Sequence, residues 1–110
     1  GPRSARAARQ TMLRKVVLDH AGQVYHGTIR NISTTGAMIE GLWQVPVGTL
    51  FKVQIAADQA VTCTTRWSEG EKMGVEFANP LHRDAAGRIS AIQAPPPRLP
   101  VADEQQRKSG

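Results

Sequence analysis

The chain has 110 residues and a formal net charge of +5 at pH 7, and 40% of its residues are hydrophobic but only 5% aromatic. This length fits one small domain with an aliphatic core. A single cysteine, Cys63, excludes an internal disulfide, and no apolar run approaches the roughly 20 residues of a membrane helix, so we expect a cytoplasmic protein without membrane insertion.

Basic residues dominate the start of the chain. Five of the 14 basic residues precede the first acidic residue, Asp19: Arg3, Arg6, Arg9, Arg14 and Lys15. Too few apolar residues accompany them to build an amphipathic membrane anchor. We interpret residues 1–13 as a flexible basic arm, which is consistent either with an anionic ligand or with simple solvation.

From residue 14 onward, polar and apolar residues alternate with the period of a β-strand. Six segments separated by short turns show this pattern: 16–20, 24–31, 37–40, 50–55, 61–67 and 73–77. Short strands with frequent turns are typical of a small barrel, because closure removes the exposed edges of a sheet. We therefore predict an all-β fold, a six-stranded antiparallel β-barrel.

A helical pattern follows the last predicted strand. Asn79 and Pro80 have the side chains typical of a helix start. Apolar residues then recur at helical spacing: Leu81, Ala85, Ile89 and Ile92. This spacing predicts a C-terminal α-helix beside the barrel, so that the folded domain spans residues 14–93. Residues 94–110 are proline-rich and polar, and we expect them to be disordered.

The sequence offers no combination of side chains typical of catalysis. The three histidines, His20, His26 and His82, have no carboxylate or cysteine partner at a recognisable spacing. No HExxH, GxGxxG or GxxxxGK[ST] motif occurs, so neither a zinc protease nor a phosphate-binding loop is indicated. We predict a protein that is not an enzyme and that carries no cofactor or metal ion.

Polar turn-forming residues lie between the second and third predicted strands. The segment NISTTG, residues 31–36, provides the amide of Asn31, the hydroxyl of Ser33 and the missing Cβ of Gly36. Arginine pairs bidentately with phosphate or with the O6 and N7 edge of guanine. Together with the arm, the segment suits a guanine nucleotide, although Ser33 and Gly36 are equally consistent with turn formation alone.

The NISTTG segment resembles the [D/N]xSxxG motif of PilZ domains, the bacterial receptors for cyclic di-GMP. The later segment TTRWSEGEKMGVEF is similar to the closing hairpin of that family, and the resemblance extends over about residues 9 to 93. It implies a six-stranded barrel that carries the motif on its surface. It also implies an N-terminal RxxxR segment that folds over the bound dinucleotide.

The resemblance also implies roles for individual residues. Arg9 and Arg14 would contact phosphate or the Hoogsteen edge of guanine. Asn31 would contact the base, Ser33 would contact phosphate or shape the turn, and Gly36 would keep the face open.

The arm departs from the family pattern at Gln10. No two arginines of the arm are four residues apart, since Gln10 stands four residues before Arg14. Gln10 keeps hydrogen-bonding atoms but has no charge, which puts the affinity in question more than the fold.

Arg30 directly precedes the motif and either stacks on a base or faces solvent. Trp67 is expected in the core or at the barrel rim.

We therefore expect a receptor that binds cyclic di-GMP and relays the signal to a protein partner in the control of motility, biofilm or exopolysaccharide. The alternative is a PilZ-like interaction module that does not bind the nucleotide, which Gln10 favours. A third reading is a barrel that binds single-stranded nucleic acid. The low aromatic content speaks against it, and we do not expect nucleic acid as a partner.

Overall fold

A computed structural model describes residues 10–98 and contains six β-strands in this range. They are β1 (Gln10–His20), β2 (Gln23–Ile32), β3 (Gly36–Glu40), β4 (Leu50–Ala56), β5 (Gln59–Glu69) and β6 (Lys72–Phe77). All neighbouring strands are antiparallel, and they close into a barrel in the order β1-β2-β3-β6-β5-β4. The predicted six-stranded barrel is confirmed.

The core of the barrel is formed by alternate residues of each strand, as the period of two requires. Among the most deeply buried side chains are Val16, Leu18, Ile29, Ile39, Val53, Ile55, Cys63 and Met73. Cys63 is a small core residue, and burial raises the pKa of its thiol to about 12. Thr65, also fully buried, donates a hydrogen bond from its hydroxyl to the sulfur of Met73.

The turn between β1 and β2 explains why these strands form a hairpin. Ala21 and Gly22 both have positive φ, 52° and 85°. A two-residue turn with positive φ at both central residues has a backbone twist that matches the twist of the two paired strands. The Gly22 N–H donates to the Asp19 carboxylate at 3.2 Å, which fixes the turn further.

Strand β1 begins earlier than the sequence indicated. Gln10 pairs with Ile32 and Thr11 pairs with Asn31, so residues 10–13 of the expected arm belong to β1. The rest of the expected flexible arm is residues 1–9. The tail that we expected to be disordered, residues 94–110, is described only as far as residue 98. Residues 1–9 and 99–110 lie outside the described residues.

The predicted C-terminal α-helix is wrong. A single 3-10 turn, Ser90–Gln93, is the only helical element after β6 within the described part of the chain. The Asp84 carboxylate accepts hydrogen bonds from the N–H groups of Ala86 and Arg88, both at 2.9 Å. Gly87 adopts a φ of 84°, and the chain reverses there instead of continuing as a helix.

The segment after β6 still covers the barrel, because its apolar residues point inward in an irregular conformation. Leu81, Ile89 and Ala91 are buried, whereas Ala85 of the predicted helical face is exposed. The N–H of Ala57 donates to the carbonyl of Pro95 at 3.0 Å, so this contact extends into the segment expected to be disordered. None of the helical structure between residues 10 and 98 has the length and apolar character needed to cross a membrane.

Candidate functional site

Ser33 is buried inside the β2–β3 turn, with 2% of its surface exposed. Its Oγ accepts hydrogen bonds from the N–H groups of Thr35 and Gly36, both at 3.2 Å. Its own N–H donates to the Gly36 carbonyl at 2.8 Å. Of the two roles that the resemblance implies for Ser33, these contacts account for shaping the turn.

Gly36 is explained by the close approach of two strands. It opens β3 opposite Glu76 of β6, and a Cβ at this position would overlap the carbonyl oxygen of Val75. Because that oxygen belongs to the backbone, it cannot give way as a flexible side chain would. A larger residue would push β3 away from β6, next to the turn that Ser33 stabilises.

A cavity of about 420 Å³ lies beside this turn, and we call it the motif cavity. Residues from four strands line it, among them Asn31, Gly36, Arg66, Trp67 and Glu76. A groove of about 260 Å³ adjoins it and includes Thr11, Arg30, Asn31 and Lys72. Asn31 and Met38 line both, so the motif cavity and the adjacent groove form one continuous surface.

Two arginines flank Asn31 on this surface, and both occupy bulges. The β2–β3 register shifts between Ile29 and Asn31, which makes Arg30 the extra residue. The β5–β6 register shifts in the same way between Thr65 and Trp67, which makes Arg66 the extra residue. Bulges re-aim side chains and are common next to functional sites.

Each bulge arginine pairs with a glutamate on the neighbouring strand. Arg30 Nη1 lies 2.7 Å from Glu40 Oε1, and Arg66 Nε lies 2.7 Å from Glu76 Oε1. All four side chains keep substantial contact with solvent. The surface around Asn31 therefore combines an amide with two guanidinium groups that are already paired.

The indole of Trp67 forms one wall of the motif cavity. It packs so closely on Gly74 that a Cβ there would overlap its Nε1 atom. Trp67 remains 44% exposed, so it lies on the surface of the barrel and outside the core. Its exposed ring provides an apolar face beside Asn31 and Arg66.

The sequence of residues 3–92 matches the family model for the PilZ domain. The chain belongs to the PilZ domain family. PilZ domains are generally non-enzymatic ligand-binding or adaptor domains, and they are generally associated with cyclic di-GMP. No curated protein matches the chain.

Arg14 of this PilZ domain lines neither the motif cavity nor the adjacent groove. Its guanidinium donates to three carbonyl oxygens, those of Ile55 and Ile92 at 2.8 Å and of Ala94 at 2.9 Å. Partial burial lowers the pKa of this guanidinium. Arg14 and Asn31 belong to the neighbouring strands β1 and β2, but their side chains do not line the same cavity.

Gln10 is exposed at the start of β1, and its sequence neighbour Thr11 lines the adjacent groove. Arg9 lies outside the described residues. Arg30 and Asn31 are thus the predicted residues that the structure gathers on one surface, with Gly36 at its edge. Sequence reasoning did not identify Arg66 or Glu76, and it placed Trp67 only as a core or rim residue.

A larger cleft of about 500 Å³ lies elsewhere on the PilZ barrel. Its lining includes His20, Tyr25, Trp43 and Phe51 and none of the residues of the [D/N]xSxxG motif. We place the candidate ligand site at the motif cavity because amide and guanidinium groups converge there. Within residues 10–98, no three His, Cys, Asp or Glu side chains are grouped closely enough to hold a metal ion.

Proposed function

We propose that this PilZ domain is a receptor that binds cyclic di-GMP on the surface formed by the motif cavity and the adjacent groove. The observation that carries the proposal is the position of Asn31, which lines both and lies between the bulge arginines Arg30 and Arg66. A cyclic dinucleotide carries both guanine bases and phosphodiesters, so it needs this mixture of amide and guanidinium groups.

Each group has a distinct task in the proposed complex. The Asn31 amide recognises a guanine edge, for which it can both donate and accept. The guanidinium of Arg66 or Arg30 binds a phosphate or the O6 and N7 edge of guanine. The exposed ring of Trp67 offers a face for stacking of a base, a contact that contributes about 1–3 kcal/mol in proteins that bind bases.

The N-terminal arm completes the site in this proposal. Thr11 pairs with Asn31 and Gln10 pairs with Ile32, so the chain enters β1 directly beside the motif. Arg9 and the amide of Gln10 then supply the contacts that the family motif assigns to its first arginine. We assign Arg14 a supporting role, because a ligand contact would require it to leave three carbonyl acceptors.

Ordering of the arm provides the signal. A segment that becomes fixed over the ligand presents a new surface to a protein partner. We propose that this cytoplasmic relay controls motility, biofilm or exopolysaccharide. Hydrogen exchange of residues 3–15 should slow when cyclic di-GMP is added, and exchange that is unchanged at saturation would exclude closure of the arm.

Calorimetric titration with cyclic di-GMP tests the binding itself. We expect a dissociation constant in the micromolar range, equivalent to about −8 kcal/mol. Asn31→Ala and Arg66→Met should each weaken binding about tenfold or more, because each removes a polar contact to the ligand. Arg88→Met removes an exposed arginine outside the cavity and is the matched control. Binding that survives both site substitutions would place the ligand elsewhere.

The second candidate function is a protein-interaction module without a nucleotide. Two observations favour it: Arg14 is committed to the fold, and Gln10 replaces an arginine of the family motif. The same titration separates the two functions. Absence of heat and of any thermal shift at millimolar cyclic di-GMP would support the interaction module.

A further inference from the structure

We propose that Glu76 and Glu40 are internal competitors of the anionic ligand. Each accepts one N–H group of a bulge arginine that a phosphate would bind, and together the two carboxylates lower the affinity of the site for an anion. The identity of the natural ligand rests on the proposed function, but the competition does not, because any phosphate that approaches Arg66 or Arg30 would meet it.

The pair of Arg66 and Glu76 lines the motif cavity. Both residues line it together with Asn31, and Arg66 Nε donates to Glu76 Oε1 at 2.7 Å. A phosphate oxygen that takes this N–H donor must therefore replace the carboxylate. The displaced carboxylate would remain close to the phosphate, since Glu76 is fixed in β6 between Val75 and Phe77.

The pair of Arg30 and Glu40 repeats this arrangement in the adjacent groove. Arg30 Nη1 donates to Glu40 Oε1 at 2.7 Å, and Lys72 lies opposite Glu40 in the β3–β6 register. The three cations Arg30, Arg66 and Lys72 thus face two carboxylates on the surface around Asn31. Most of the positive charge available to an anion is already compensated.

The energies of these ion pairs allow a phosphate to displace the carboxylate, so the glutamates weaken anion binding without blocking it. Exposed ion pairs contribute little to stability, so a phosphate can displace the carboxylates at small cost. Like charges about 4 Å apart repel even in water, so a displaced carboxylate still weakens phosphate binding. Replacement of either glutamate by glutamine keeps the shape of the side chain and removes both effects. We expect each replacement to tighten anion binding about two- to tenfold.

Titration with inorganic pyrophosphate tests this competition independently of the natural ligand. The readout is the NMR resonance of the Arg66 Nε–H group, which reports binding at that guanidinium alone. The proteins are the full chain with its natural sequence, Glu76→Gln, Glu40→Gln and Asp58→Asn. Asp58 lies in the β4–β5 turn outside both cavities, so Asp58→Asn makes the same change in net charge at another place.

The expected result is a lower dissociation constant for pyrophosphate at Arg66 in Glu76→Gln, with Asp58→Asn unchanged. Glu40→Gln should act mainly through the Arg30 resonance, observed in the same spectra. Equal affinity in Glu76→Gln and the natural sequence would overturn the proposal. So would an equal gain in Asp58→Asn, or an Arg66 resonance that responds in neither protein.

A parallel titration of the same proteins with cyclic di-GMP separates this proposal from the proposed function. A gain for pyrophosphate in Glu76→Gln, with no binding of cyclic di-GMP by any of the proteins, would support the competition and reject the receptor function. Binding of cyclic di-GMP by the natural sequence, with no gain for either probe in Glu76→Gln, would support the receptor and reject the competition.

Discussion

Arg14 Nη2 donates a hydrogen bond of 2.8 Å to the carbonyl oxygen of Ile92. The same guanidinium reaches Ala94 and, on the neighbouring strand β4, Ile55. The first strand therefore holds the last described segment of the chain against the barrel. An arginine that the family resemblance assigns to the ligand is part of the fold in this structure.

Arg14→Met should lower the free energy of unfolding by about 2–4 kcal/mol. It removes hydrogen bonds from a charged donor and leaves three partly buried carbonyls without that partner. Urea denaturation measures the change. Lys15→Met, at the exposed neighbouring position, is the control and should cost less than about 0.5 kcal/mol. Equal stability of the two variants would show that the three hydrogen bonds contribute nothing.

Gly74→Ala should displace the Trp67 indole from β6. The added Cβ overlaps Trp67 Nε1, and we expect a loss of about 1–3 kcal/mol in stability and a red shift of the tryptophan emission. The chain has two tryptophans, so Trp43→Phe provides the background in which Trp67 alone is observed.

The reciprocal background, Trp67→Phe, is the control for Gly74→Ala. Trp43 lies over Gly70 in the β5–β6 turn and does not line the motif cavity, so its emission should not change. A shift in Trp43 and none in Trp67 would contradict the packing of Trp67 on Gly74.

The burial of Cys63 predicts a loss of stability at alkaline pH. Burial raises the pKa of its thiol from 9.0 to about 12. A raised pKa contributes stability that is fully present below pH 9 and is lost as the pH rises toward 12, because the unfolded thiol ionises first. Cys63→Ala should therefore lose stability less steeply than the natural sequence above pH 9, by up to about 1.4 kcal/mol per pH unit.

Urea denaturation between pH 8 and pH 11 compares these slopes. Cys63→Ala will be less stable at neutral pH because it leaves a small cavity, so the slope and not the absolute value is diagnostic. Parallel curves for the two proteins would contradict the effect. Native Cys63 should also resist alkylation by iodoacetamide until the protein unfolds.

Asp84 predicts the opposite dependence at acidic pH. Hydrogen bonds from the N–H groups of Arg88 and Ala86 and the nearby Arg88 guanidinium hold the pKa of this carboxyl below its ordinary value. A lowered pKa contributes stability above the ordinary value of 3.8 that is lost as the pH falls through the folded pKa. Asp84→Asn should be less stable than the natural sequence at pH 7.

Thermal unfolding between pH 7 and pH 2 measures this difference, which should shrink as the natural carboxyl becomes protonated. Asp84→Ala provides the comparison, because it has no acceptor for the two N–H groups at any pH. A difference between Asp84→Asn and the natural sequence that is the same at pH 2 and pH 7 would exclude the charge as its cause.

The barrel could be predicted from the sequence because alternation of polar and apolar residues is a direct consequence of strand geometry. The conformation of the chain after β6 could not be predicted from the sequence, which indicated a helix. Leu81 and Ile89 do point inward, but Asp84 captures two backbone N–H groups and Gly87 reverses the chain. A helical period was therefore produced by a segment that buries its apolar residues without being a helix.

The site was predictable only in part, because β-bulges cannot be recognised from the alternation of polar and apolar residues. Arg30 was a candidate because it directly precedes Asn31, but without the register shifts neither Arg30 nor Arg66 could be placed on the same surface as the Asn31 side chain. The inward direction of the Arg14 side chain could have been predicted from the sequence. It lies in phase with Val16 and Leu18, which face the core, and this phase indicates an inward side chain.

Two seams between strands that are not consecutive close the barrel and determine the order in which it can form. Residues 17–19 pair with residues 52–54 at the β1–β4 seam, and residues 36–40 pair with residues 72–76 at the β3–β6 seam. The other four pairs, β1–β2, β2–β3, β4–β5 and β5–β6, join consecutive strands. Long-range pairing repays its loop-closure entropy late, so we expect the consecutive pairs to form first and the two seams last. Arg14 spans the β1–β4 seam through Ile55, so closure of that seam also fixes residues 92–94. Until the seams close, β1, β3, β4 and β6 present open edges, and aggregation during refolding should depend on how fast both seams form.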